Sequence, residues 1–168
     1  RPRARPPHRP RARRLTALED GSVDMVIWGF AVTAERAERV RFVRPFYAAE
    51  GGRLFAPPSS ISNFEAGVTG VKVCVQSGSY LEPALAAAGA EVVGVESSLD
   101  YAPAIAHGRC AAGATDDFAP LDAGLAVVPG LPLLSPTSYA VAVSRGAAAD
   151  DLALRVSGAL VDLYTGGG

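Results

Sequence analysis

Between residues 68 and 116, short apolar runs alternate with helical segments of about ten residues, and this alternation constrains the fold more than any other feature of the chain. The run VKVCVQ (71–76) leads through Ser77-Gly78 into a helical stretch over 80–88 that Gly89 closes. EVVGV (91–95) follows, then a Ser-rich turn, a second helical stretch over 99–107 ended by Gly108, and a third strand over 109–115. Strands separated by single helices are the signature of parallel βαβ units. Ser79 and Glu82 stand three apart, the spacing of a reciprocal capping box, and predict the first helix start. Pro83 and Pro103 count against full-length helices, because proline has no N–H to donate to the turn behind it.

The flanks read differently. A short helical fragment over 15–19 stops at Asp20-Gly21, and VDMVIW (23–28) is an apolar run short enough for a buried strand. Thr33 then stands where it can cap AERAERV, in which Glu35 and Arg39 lie four apart on one face. The stretch 40–58 mixes aromatics, Pro and Gly and predicts an extended connector near 52–57. Beyond the loop-like PGLPLLSPTS a second strand-like stretch covers 138–144, and a last helix is expected over 149–164. An α/β unit inserted into another through two extended connectors is the economical arrangement.

Charge and length bound the function. Seven of the 16 basic residues fall in residues 1–14, which hold no acid, leaving nine basic against 17 acidic residues, a net −8, over 15–168. A body this acidic argues against nucleic-acid binding, which needs cationic surface toward phosphates. The Arg/Pro-rich stretch 1–14 has no apolar periodicity and is expected to be a disordered arm. It also lacks the apolar segment of a secretory signal. No run reaches the roughly 18 to 20 apolar residues of a spanning helix. Cys74 and Cys110 match no zinc spacing, and no metal or cofactor is expected. Both fall in or beside parallel strands whose backbones are already paired, so a structural disulfide between them is not expected.

Ligands of open parallel sheets bind at the carboxyl ends of strands. Three such ends stand out. In GFAVTAER (29–36), Gly29 lets a ligand approach the backbone and Arg36 offers a planar fork for a carboxylate, although Arg36 also fits a solvated helix arginine. In QSGSY (76–80), the amides of Ser79 and Tyr80 stand at a helix start that favours an anion, or serve as an ordinary cap. Asp116, just after RCAAGAT, can hold an ammonium or act as a routine N-cap. Together the three ends supply an anion site and a cation site, as an α-amino acid requires.

The order of these parts carries a resemblance. LEDGSVDMVIWGFAVTAERAERVRFVRPFYAAEGGRLFA, VKVCVQSGSY, HGRCAAGATD and SYAVAVSRG resemble, in sequence, the signatures of family 3 extracellular solute-binding proteins, the polar amino-acid binders of bacterial uptake systems. The resemblance implies an α/β, periplasmic-binding-protein-like type II clamp of two lobes joined by hinge strands. Lobe one would comprise residues 15–57 and 138–168, and lobe two residues 58–137. It further implies that Arg36 grips the ligand carboxylate and Asp116 its ammonium, that Gly29 offers its carbonyl, and that Ser79 and Tyr80 face the carboxylate. Two departures from the family pattern stand out: Ala31 replaces the hydroxyl residue usual two positions after the glycine, and Ala111 replaces an aspartate.

By the same resemblance, lobe one is expected to be incomplete, because roughly 60 or more residues of strands and helices would precede Leu15, so that binding by the chain alone would be weak or absent. The implied function is non-catalytic binding of an amino acid or similar polar solute outside the cytoplasm, for a membrane transporter or receptor. Alternatives are a cyclohexadienyl-dehydratase-like enzyme on the same scaffold, for which His107 and His8 are the few candidate acid-base groups, or a degenerate fragment without activity.

Overall fold

A computed structural model of the chain describes residues 11–27, 29–116 and 124–166. Residues 1–10 of the expected arm and Trp28 of the expected 23–28 strand lie outside them. The described elements run α1 (Arg11–Glu19), β1 (Met25–Val26), α2 (Ala34–Arg39), β2 (Arg41–Phe42), β3 (Ala48–Ala56), β4 (Lys72–Gln76), α3 (Glu82–Ala87), β5 (Glu91–Val95), α4 (Tyr101–Ala106), β6 (Ala112–Asp116), β7 (Ala126–Val127), β8 (Leu134–Tyr139), β9 (Ala142–Val143) and α5 (Ala147–Thr165). Helix α1 starts at Arg11, so the last residues of the stretch expected to be disordered are helical.

Two sheets result. The larger has the strand order β5-β4-β6-β3-β7, with β8 also on β3. Its β5, β4 and β6 are parallel, with Val73 opposite Val92 on one side and Ala112 on the other. Successive residues of β4 point to opposite faces. Val73 and Val75 therefore join Leu81 and Leu85 on the α3 side, whereas Cys74 joins Tyr101 and Ala104 on the α4 side. Burial on both faces explains why these strands read as nearly continuous apolar runs. In the smaller sheet β9 lies between β1 and β2 and is antiparallel to both. Against it Val43, Val141 and Val143 pack on Ala149 and Ala153 of α5.

Strand β3 belongs to the larger sheet along its whole length. Its first half pairs with β8 (Ala48 opposite Tyr139, Gly52 opposite Leu134) and its second half with β6 (Gly52 opposite Asp116, Phe55 opposite Gly113). The segment before it continues the antiparallel run toward the smaller sheet, through Tyr47 N to Tyr139 O at 3.1 Å and Val43 N to Val141 O at 2.8 Å. The two segments linking the sheets thus lie side by side.

Three local expectations need correction. Helix α3 begins at Glu82, so Pro83 sits in its first turn, where a backbone N–H would have no intrahelical acceptor and its absence costs no hydrogen bond. Ser79 and Glu82 do not form the reciprocal box: Ser79 Oγ accepts from Leu81 N, and Glu82 Oε1 accepts from Gly78 N at 2.8 Å. The reciprocal arrangement occurs instead between Ser97 and Asp100, ahead of α4. Finally, Cys74 and Cys110 are joined in a disulfide, with Cα atoms 5.7 Å apart. The expectation of no disulfide rested on both cysteines lying in or beside paired strands, but Cys110 precedes β6 and turns into the same cluster as Cys74.

Candidate functional site

Helix α2 positions the first group. Thr33 is extended and caps the helix by accepting from Arg36 N at 3.2 Å. That short helix aims the Arg36 side chain back over the residues before it. Its guanidinium carbon lies 4.8 Å from the centroid of the Phe30 ring, and Nη1 donates to Ala31 O at 3.1 Å. The same guanidinium reaches the other sheet, where Nη2 donates to Gly78 O at 3.4 Å, in the turn between β4 and α3. Residues 31 and 32 are themselves fastened to β8, by the bridge of Ala31 to Tyr139 and by Val32 N to Ser138 O at 2.8 Å. Thr137 Oγ1 donates to Val32 O at 2.8 Å as well.

The turn at 76–80 supplies the second group. Ser79 is 6% exposed and Ser79 N donates to Gln76 O at 3.0 Å. The Tyr80 and Tyr139 hydroxyls are 2.8 Å apart and their rings meet edge-on. A cavity of 460 Å³ opens between these parts, lined among others by Phe30, Arg36, Arg39, Ser79, Tyr80 and Glu82. Its size is that of a small-molecule site.

Gly29 and Asp116 form a separate neighbourhood. Gly29 has φ of +44°, a left-handed conformation that glycine adopts without strain, and a Cβ there would lie 3.9 Å from Asp116 Oδ2. Asp116 is 1% exposed at the end of β6, opposite Gly52 of β3. The structure thus brings Arg36, Ser79 and Tyr80 to one cavity, and Gly29 to Asp116 outside that lining. Phe30 and Ala31 join the two groups along the chain.

Sequence reasoning gave no site role to Phe30, Gly78 or Tyr139. Phe30 directly follows the singled-out glycine, and an aromatic six residues before an arginine gives no periodic signal. Tyr139 lies on a strand assigned only as a connector. At the cavity rim, Arg39 makes a two-pronged pair with Glu19 of α1, Nε to Oε1 and Nη2 to Oε2, both at 2.7 Å. The paired guanidinium holds the Glu19 carboxyl below its ordinary value of 4.5, and the carboxylate in turn raises Arg39. His107, the one histidine among the described residues, accompanies Glu96 and Asp100 at a different cavity, its Nδ1 2.7 Å from Pro103 O. No group of side chains suited to a metal ion occurs among the described residues, and no described helix is long and apolar enough to cross a membrane.

Comparison with solved structures agrees with the fold. The chain is similar to an arginine-bound amino acid ABC transporter substrate-binding protein, AbpA, from Streptococcus pneumoniae, with a TM-score of 0.78, 21% identity, and 91% of this chain and 67% of that one covered. It is similar to holo ArgBP from T. maritima, with a TM-score of 0.76, 23% identity, and 89% and 68% covered. An ancestral amino acid-binding protein described as a precursor of cyclohexadienyl dehydratase matches with a TM-score of 0.70 and 23% identity, over 90% of this chain and 67% of that one. The chain therefore spans about two thirds of the length of these proteins. No curated protein matches it. The model of one family matches residues 6–165, and on that match the chain belongs to the bacterial extracellular solute-binding proteins, family 3.

Proposed function

We propose that the chain binds a small polar solute carrying both a carboxylate and an ammonium, an α-amino acid in the first place, between Arg36 with Ser79 and Tyr80 on one side and Gly29 with Asp116 on the other. The observation that carries this reading is the Arg36 guanidinium, which lies at a cavity of 460 Å³ shared with Ser79 and Tyr80. A planar fork suits a carboxylate in two-pronged geometry. The buried carboxylate of Asp116 beside Gly29 offers the complementary charge for an ammonium. The family is one of solute binders, and similar solved proteins carry L-arginine. We assign no catalytic group to the cleft, since His107 lies at another cavity.

Delivery to a membrane transporter or receptor outside the cytoplasm fits the family's description, and the buried disulfide fits an oxidising compartment. The test is a thermal-shift series with L-amino acids, the matching amines that lack the carboxylate and the matching acids that lack the ammonium. Stabilisation by the amino acids alone supports recognition of both groups. Equal stabilisation by either half-ligand removes it.

A further inference from the structure

Residues 30–32, which lead toward α2, run antiparallel beside the end of β8. Val32 N donates to Ser138 O at 2.8 Å and Ala140 N to Phe30 O at 3.4 Å, with Ala31 opposite Tyr139 between them. Those two bonds flank Ala31 and Tyr139, which are therefore a non-hydrogen-bonded pair. The Ala31 carbonyl is left to another partner, and it accepts from Arg36 Nη1 at 3.1 Å. The aim of the guanidinium thus depends on where residues 30–32 are held.

One side chain fastens the far end of that stretch. Thr137 Oγ1 donates to Val32 O at 2.8 Å, across 105 residues of sequence, and lies at a weaker 3.5 Å from Ser138 O. Val32 thereby has both backbone groups bound to β8, its N–H to Ser138 and its carbonyl to Thr137. Thr137 is itself paired opposite Glu50 of β3, so the anchor belongs to the larger sheet. Two residues on, the Tyr139 hydroxyl meets that of the cavity residue Tyr80. Thr137 is half-buried and is not part of the cavity lining. We propose that Thr137 is a positioning residue for solute binding: its hydroxyl fixes Val32 and, through the Ala31 carbonyl, aims the Arg36 guanidinium at the ligand carboxylate. This inference rests on the reading of Arg36 given above and adds to it a determinant outside the cleft.

The test is isothermal titration of the common L-amino acids into the full 168-residue chain, with Thr137→Val, which keeps the shape and removes the hydroxyl, and Thr137→Ser, which keeps the hydroxyl. Thr137→Val is expected to weaken the tightest-binding amino acid about fivefold, and Thr137→Ser to stay within about twofold of the wild type. In an Arg36→Lys background, which has no fork to aim, Thr137→Val should cost no more than about twofold. A hydroxyl that served the fold alone would cost as much in either background. Hydrogen exchange at the Val32 amide, followed without ligand, should quicken about fivefold in Thr137→Val and not in Thr137→Ser. Unchanged Val32 exchange, unchanged affinity in Thr137→Val, or an equal loss in both Arg36 backgrounds overturns the proposal and leaves the site standing. A wild type that binds no amino acid saturably, or binding that Arg36→Lys does not alter, removes the site and the proposal with it.

Discussion

The Arg36 guanidinium lies over the Phe30 ring, 4.8 Å from its centroid, while its two terminal nitrogens donate to Ala31 O and Gly78 O. One side chain therefore joins the segment leading out of the smaller sheet to the turn after β4 in the larger one. Phe30→Leu keeps an apolar group at this buried position and removes the stacking. The expected loss is about 0.5–1 kcal/mol of ligand affinity, roughly two- to fivefold, read by calorimetric titration. Unchanged affinity would show that the ring does not orient Arg36.

The Tyr101 hydroxyl is buried between two parallel strands, donating to Ala114 O at 2.7 Å and accepting from Gln76 N at 3.2 Å. Tyr101→Phe leaves both buried backbone groups without the hydroxyl that joins them. A loss of about 1–3 kcal/mol in urea unfolding is expected, with the solute cavity unaltered. A change within experimental error would mean that water takes over the hydroxyl's role.

Gly52 sits where β3 passes α3, and a Cβ there would come within 2.5 Å of Leu81 Cδ2. Leu81 is fully buried, so its side chain has little room to yield. Gly52→Ala is expected to destabilise by about 1–3 kcal/mol, and combining it with Leu81→Ala should cost less than the sum of the two single changes. Additive losses would contradict the contact.

The pair between Glu19 and Arg39 joins α1 to α2 at the cavity rim. Because folding lowers the Glu19 pKa, its contribution to stability is present above the ordinary value of 4.5 and is lost as pH falls through the lowered folded value. Urea midpoints measured from pH 7 down to pH 3 should therefore fall less steeply in Glu19→Gln than in the wild type. The difference should narrow at high salt, since both side chains are exposed. Parallel pH profiles would sink the assignment.

How much was legible beforehand varied with how local the signal was. The β4-α3-β5-α4-β6 run was readable because strand and helix periods alternate there within a few residues, and Gly89 and Gly108 mark where each helix stops. Strand β8 was not readable. Its sequence, LSPTSY, is polar and carries Pro136, which resembles a loop, and it is extended because β3 offers it a partner. The disulfide escaped for a related reason. Whether Cys110 reaches Cys74 depends on the path of the chain before β6, which no strand pattern encodes. In the site, Arg36 and the 76–80 turn could be placed at helix starts from sequence. The stacking of Phe30 and the Tyr80–Tyr139 contact depend on segments 59 residues or more apart, or on the fold of a helix back over its own lead-in.

The central claim is that Arg36 and Asp116 hold opposite charges of one ligand, and isothermal titration of L-amino acids into the full chain tests it most directly. At least one amino acid is expected to bind saturably to the wild type. Arg36→Lys should weaken that ligand by on the order of 2 kcal/mol, about thirtyfold, because an ammonium cannot reproduce the guanidinium fork, and Asp116→Asn should weaken it comparably. Saturable binding that neither substitution alters, or no saturable binding of any amino acid by the wild type, would contradict the account.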